Sequence, residues 1–141
     1  VAEIVVLDTS ACLTLLENEP GAETVESLLL LAKASRATLH GCFITLTETE
    51  YIVTQERGLP AAAKALAALK TWPVIWHHSD DDLCHAAARL KAAHKISLGD
   101  SFIAATALRV RGSLLHKDPE FKALAGFLPQ QILPFKTRSA P

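Results

Sequence analysis

Short segments of strand character alternate along the chain with longer stretches whose apolar residues recur at helical spacing. Ile4 to Leu7 is a continuous apolar run closed by Asp8, the signature of a strand buried on both faces. A helix is expected to start at Thr9 or Ser10, and Gly21 opens a second, in which Val25, Leu28, Leu29 and Ala32 share one face. Leu39 to Phe43 predicts the second strand. Thr45 to Gly58 predicts a helix stopped by glycine, Pro60 to Thr71 an alanine-rich helix with proline in its first turn, and Val74 to Trp76 a third strand. Ser79 and Asp80 cap the next helix, whose stripe is Leu83, Ala86, Ala87 and Leu90. After the Ser97-Leu98-Gly99 break, another helix carries Ile103, Ala107 and Val110 inward and ends at Gly112. Ser113 to Leu115 is a short fourth strand, Pro119 starts a helical turn, and Gln131 to Phe135 is expected to form a fifth strand at the edge.

Strands alternating with helices imply an α/β fold, a three-layer α/β/α sandwich around a mainly parallel sheet of about five strands. In such sheets ligands bind beyond the carboxyl ends of the strands. No linker, repeat or low-complexity segment interrupts the pattern, so residues 1–135 read as one domain and 136–141 as a flexible tail.

Composition narrows the class. With 141 residues, half of them apolar, and 6 glycines and 7 prolines, the chain can bury a core and is neither disordered nor fibrous. Its one leucine-dense stretch, Leu28 to Ala32, lies between Glu26 and Lys33, far short of the roughly 20 apolar residues that span a bilayer. The chain enters its first strand through Glu3 with no basic leader, so a cytoplasmic location without membrane contact is the expectation. Cys12, Cys42 and Cys84 are far apart and odd in number, which argues against a disulfide framework or a zinc knuckle.

The net charge of −1 hides an asymmetry: residues 1–50 hold eight acids and two bases, residues 51–141 seven acids and twelve bases. An acidic focus beside a basic surface suits a metal-dependent enzyme acting on a phosphate polymer, although ordinary solvated charge gives the same arithmetic.

Four acids stand out by position. Asp8, Glu48 and Asp118 come just after the first, second and fourth strands, and Asp100 opens a helix expected to pack on the same sheet. Each has a structural alternative. Asp8 is a good N-cap, Thr45-Leu46-Thr47-Glu48 reads as a capping box, Ser97-Leu98-Gly99-Asp100 is a capping arrangement, and Asp118 before Pro119 is a helix start. Taken together they are expected to converge, and converging carboxylates resist joint ionisation unless a cation joins them. Oxygen donors with open positions suit Mg²⁺, or Mn²⁺ as a substitute, better than Zn²⁺.

Asp8-Thr9-Ser10, Ile44-Thr45-Leu46-Thr47-Glu48, Leu98-Gly99-Asp100-Ser101-Phe102-Ile103-Ala104-Ala105-Thr106-Ala107 and Lys117-Asp118-Pro119-Glu120-Phe121 resemble, in order and spacing, a PIN-domain ribonuclease of the VapC toxin type. The resemblance runs from about Ile4 to Phe135, and the Gly-Asp-x-x-Ile-Ala-Ala-x-Ala segment is its most specific part. It implies a PIN-like fold and an Mg²⁺-dependent endoribonuclease, the toxin of a toxin-antitoxin pair. Asp8, Glu48, Asp100 and Asp118 would take the places of the metal-binding acids, and Ser10 or Thr9 that of the hydroxyl at the same site. An RNA substrate, a cognate antitoxin and a homodimer are further implications. One position departs: the family often has Thr or Ser two residues before the last acid, where this chain has His116.

Phosphate contacts would fall to basic residues such as Arg57, Lys64, Arg89, Lys91, Lys95, Arg109, Arg111 and Lys117. His77, His78 and Asp80 to Asp82 could bind zinc, but a strand end followed by a capped helix accounts for them better. His40 and His94 are read as surface or core residues, and Trp72 and Trp76 as packing residues. Competing classes are a non-catalytic PIN-like binding module and a phospho-accepting receiver domain. The receiver needs an acceptor Asp ending the third strand, where His77 and His78 stand. A haloacid-dehalogenase site would need a second Asp where Ser10 sits, and a dinucleotide site would need glycines that the first turn lacks.

Overall fold

In the computed structural model, which describes residues 2–135, the chain runs β1 (Glu3–Leu7), α1 (Thr9–Leu16), α2 (Ala22–Lys33), β2 (Ala37–Cys42), α3 (Phe43–Arg57), α4 (Leu59–Thr71), β3 (Val74–His77), α5 (Asp81–Ala93), α6 (Leu98–Val110), β4 (Ser113–His116), a 3₁₀ turn (Pro119–Leu124) and β5 (Gln130–Ile132). The expected tail, 136–141, lies outside the described residues. All four strand pairings are parallel and the order is β3-β2-β1-β4-β5. Receiver domains use the order 2-1-3-4-5, so this topology removes that alternative.

Alternation along the inner strands builds two cores. Val5, Leu7, Leu39 and Leu115 pack with Ala11, Cys12, Val25, Leu28 and Leu29 of α1 and α2. Val6, Cys42 and Leu114 face the other way, onto Ile103, Ala104 and Ala107 of α6 and Phe121 and Leu124 of the 3₁₀ turn. Burial on both faces is why β1 is a continuous apolar run rather than an alternating one. Trp72 and Trp76 pack against the first core, as their positions predict.

Most boundaries shift by one or two residues, and two of the shifts have a clear physical reason. Phe43 opens α3 instead of closing β2, and its ring meets Phe102 of α6 edge-on at 5.3 Å. Tertiary packing therefore claims a residue whose strand propensity is high. The fifth strand is Gln130–Ile132 rather than Gln131 to Phe135: after Leu133 N–H donates to His116 O at 2.8 Å, Pro134 has no N–H with which to extend the ladder.

The chain leaves β1 toward β2 and β3 on one side and fills β4 and β5 on the other. The reversal lies between β1 and β4, and open α/β sheets bind ligands at the carboxyl-end crevice of such a switch point. Asp8 follows β1 there, and Lys117 and Asp118 follow β4.

Candidate metal centre

The turn after β1 is held by its own polar atoms. Asp8 N–H donates to Leu115 O at 3.0 Å, which ties the end of β1 to β4. Asp8 Oδ2 accepts from Ser10 N–H at 3.1 Å and from the Ser10 hydroxyl at 2.5 Å, so Asp8 is the N-cap of α1 as well as an acid at the sheet edge. Ser10 Oγ in turn accepts Lys117 N–H at 3.0 Å, joining the loops after β1 and β4.

Glu48 reaches the same place from α3. Because α3 begins at Phe43, the Thr45–Glu48 capping box does not form; the N-cap is Cys42, without a side-chain cap. Instead the Thr9 hydroxyl donates to Glu48 Oε1 at 2.6 Å and lies 3.1 Å from Thr45 Oγ1. Space for the carboxylate comes from Gly99, where a Cβ would stand 3.2 Å from Glu48 Oε2. Ser97 caps α6 by accepting Asp100 N–H at 3.1 Å, which places Asp100, 5 % exposed, in the first turn.

Asp118 caps the 3₁₀ turn by accepting Glu120 N–H at 3.0 Å. That tight turn brings forward a residue the sequence reading did not assign. Carboxylate oxygens of Asp100, Asp118 and Glu120 lie within 4.8 Å of one another. The signal was present in Asp118-Pro119-Glu120, since proline after an Asp cap predicts a turn that puts two acids on one side.

Asp8, Thr9, Ser10, Glu48, Asp100 and Asp118 thus line one cleft of about 180 Å³, with Leu13 and Ile52 as its apolar wall. Burial raises the Asp8 carboxyl to about 6, above its Ser10 hydrogen bonds, which pull the other way. Asp100 is pushed to about 9, by burial first and then by Glu120, Asp8 and Asp118. Glu48 is also raised by burial, against the Thr9 bond. A buried group of acids that resists ionisation is a candidate functional site. Oxygen-only donors from separate elements, partly open to solvent, fit a hard divalent cation.

His116 lies behind the cleft, 2 % exposed, rather than lining it. Its Nδ1 accepts Asp118 N–H at 2.9 Å and its Nε2 pairs with Gln130 Oε1 at 2.8 Å. Gln130 Nε2 donates onward to Phe121 O at 2.7 Å. Of the basic residues, Lys117 is 9 % exposed and bound to Glu19 and Pro20 O, so it braces the α1–α2 loop. Arg109 pairs with Asp80 at 2.6 Å, whose Oδ1 also caps α5 through Leu83 N–H. The structural reading of Asp80 is the observed one.

The PIN domain profile matches residues 5–127. No curated protein sequence matches the chain. Among solved structures the chain is similar to VapBC2 from Rickettsia felis bound to a promoter DNA fragment, with 20% identity, 93% of this chain and 99% of that chain covered, and a TM-score of 0.74. VapBC from Salmonella typhimurium bound to DNA gives 17% identity, coverage of 94% and 98%, and a TM-score of 0.73. VapC20 from Mycobacterium tuberculosis gives 19% identity, coverage of 92% and 99%, and a TM-score of 0.68. At such identities these likenesses establish the fold, while the profile covers most of the sequence: the chain belongs to the PIN domain family.

Proposed function

We propose that the chain is a divalent-metal-dependent endoribonuclease, the toxin of a toxin-antitoxin pair. The observation that carries this reading is the meeting of Asp8, Glu48, Asp100 and Asp118 in one cleft at the switch point of the sheet, with Glu120 beside Asp100 and Asp118. Family membership supports it. So do the descriptions of similar structures: VapC20 is a Sarcin-Ricin loop cleaving toxin, and a similar structure from Klebsiella pneumoniae is a toxin-antitoxin complex.

Asp8, Asp100 and Asp118 are assigned as holding Mg²⁺, or Mn²⁺, with Glu120 as a further donor. When bound, the cation supplies positive charge against the phosphoryl and leaving oxygens of a phosphodiester during in-line attack by water. The chain's own part is positioning. Ser10 and the Asp8 backbone N–H hold the Asp8 carboxylate in place. Thr9 aims Glu48, which orients the attacking water and takes its proton, a role that the raised proton affinity of Glu48 favours. Leu13 and Ile52 limit water on one side. His116 positions Asp118 through the backbone and touches neither cation nor substrate.

The partners proposed are an RNA substrate, an antitoxin that covers the cleft, and a second copy of the chain. No helix among the described residues is long and apolar enough to cross a membrane. The deciding experiment is cleavage of RNA by the purified chain. Activity with Mg²⁺ or Mn²⁺, its loss with EDTA, and its loss in folded Asp8→Ala and Asp100→Asn variants are expected. An unaffected Asp100→Asn enzyme rejects the assignment, and metal binding without cleavage favours a non-catalytic PIN-like binding module.

A further inference from the structure

We propose that His40 and His77 form a second metal site, separate from the acidic cleft, that binds a late divalent transition metal such as Zn²⁺ across β2 and β3. The two residues are far apart in sequence, and the parallel register sets Cys42 opposite His77 and Ile75 opposite His40, so both imidazoles project from the same face of the sheet. Their rings are 5.0 Å apart, tilted by 47°, and His40 Nδ1 lies 2.8 Å from His77 Nε2.

That nitrogen spacing has two chemical meanings. It is a hydrogen bond between neutral imidazoles, one donating and one accepting. It is also the spacing of two ligands on one ion: with metal–nitrogen bonds of about 2.0–2.1 Å, nitrogens at a right angle are about 2.9 Å apart and at the tetrahedral angle about 3.3 Å. Conversion needs the donor ring to carry its proton on its other nitrogen, exchanged through water with no net proton released, and a modest rotation of both rings. Imidazole selects zinc, copper or nickel over magnesium, so the pair does not compete with the oxygen donors of the cleft.

Surroundings permit access. Both rings are half-buried, on a sheet edge where, among the described residues, β3 pairs only with β2, and water can fill the remaining positions. The Arg109 cation acts on His77, but its 2.6 Å pairing with Asp80 offsets that charge, and Asp80 also acts on His77. An ion bound here would staple the four-residue edge strand β3 to its neighbour.

The test uses the full chain with excess Mg²⁺ to fill the acidic cleft, ZnCl₂ as probe, and equilibrium dialysis with thermal unfolding as readouts. One zinc equivalent is expected. His40→Gln and His77→Gln should each weaken it about tenfold or more, since even outer-shell partners are worth about that much, while Asp100→Asn keeps it. Zinc binding that survives both histidine substitutions, or vanishes only in Asp100→Asn, overturns the proposal. Should either histidine variant unfold, ring-proton NMR of the wild-type chain decides: zinc must shift the His40 and His77 signals, and unshifted signals reject the site.

Discussion

The backbone N–H of Asp118 donates to Nδ1 of His116 at 2.9 Å, which fixes the imidazole as the neutral tautomer with its proton on Nε2, facing Gln130 Oε1. A protonated ring would have no lone pair for Asp118. Burial lowers the His116 pKa below 6.5, in agreement. A lowered folded-state pKa means that the unfolded chain binds the proton more tightly. The stabilisation is complete above pH 6.5 and is lost as pH falls from there through the lowered value. His116→Ala should cost about 2–3 kcal/mol, because it takes from Asp118 N–H and Gln130 Oε1 their His116 partner and removes packing against Phe121. Denaturant unfolding at pH 8 and pH 5 checks both points: the wild-type and variant curves should differ more at pH 8.

The acids of the cleft have the opposite sign. Asp8 and Asp100 are raised from 3.8 to about 6 and about 9, so without a cation their contribution is full below pH 3.8 and is lost as pH rises through those values. The metal-free protein should therefore lose stability between about pH 4 and pH 9. Saturating Mg²⁺ should oppose the loss, adding about 2.7 kcal/mol at one hundred times its dissociation constant. Asp100→Asn is neutral in both the folded and the unfolded chain, whereas Asp100 ionises on unfolding, so the variant should be more stable than wild type without metal at pH 8, and inactive. Unfolding curves with EDTA and with MgCl₂ provide the measurement, and an Asp100→Asn protein less stable than wild type under EDTA contradicts the electrostatic account.

Asp8 was legible because a polar residue closing a β-branched run marks a strand's carboxyl end, Asp118 because an acid before Pro119 follows the short Leu114-Leu115 strand, and parallel sheets collect such ends on one edge. Asp100 was legible from Ser97 and the helix break before it. Glu48 lines the cleft with the other acids, and its capping-box alternative failed because Phe43, drawn onto Phe102, starts the helix early. His116 was singled out, yet its position behind Asp118 depends on Gln130, which only the pairing of β5 with β4 brings near. The meeting of His40 with His77 is set by the register of two parallel strands joined through α3 and α4, which no local pattern encodes.

Thr9 and Gly99 give Glu48 its place, one by attraction and one by absence. Thr9→Val keeps the shape but removes the donor to Glu48 Oε1, and should cost about 1 kcal/mol of stability with a fall in kcat. Gly99→Ala separates function from folding. Alanine is favoured in a helix by about 0.5–1 kcal/mol, but its Cβ would stand 3.2 Å from Glu48 Oε2 and 3.3 Å from Ile44 Cγ2. The Glu48 carboxylate and Ile44 must give by a few tenths of an ångström, so the Gly99→Ala protein should fold with a stability close to that of wild type yet cleave RNA more slowly. Thermal unfolding and steady-state cleavage of one RNA decide it, and full activity would show that Gly99 does not set the working position of Glu48.

Glu120 provides the most direct check on the composition of the metal centre, because it is exposed and its side chain caps no helical segment. Its neighbours in the cluster also cap helical segments or are buried, so their variants mix binding with stability. Glu120→Gln keeps the length of the side chain and the backbone N–H that Asp118 accepts, and its amide can still hydrogen-bond the Asp100 carboxyl. If its carboxylate completes the site with Asp100 and Asp118, Mg²⁺ affinity should fall about 10- to 100-fold, the range measured when supporting groups of metal sites are removed. Cleavage should then recover at high Mg²⁺. Titrating activity and thermal stability with MgCl₂ for both proteins measures this. Coincident titrations would show that Glu120 is a solvated surface acid and that the cation is held by the other carboxylates alone.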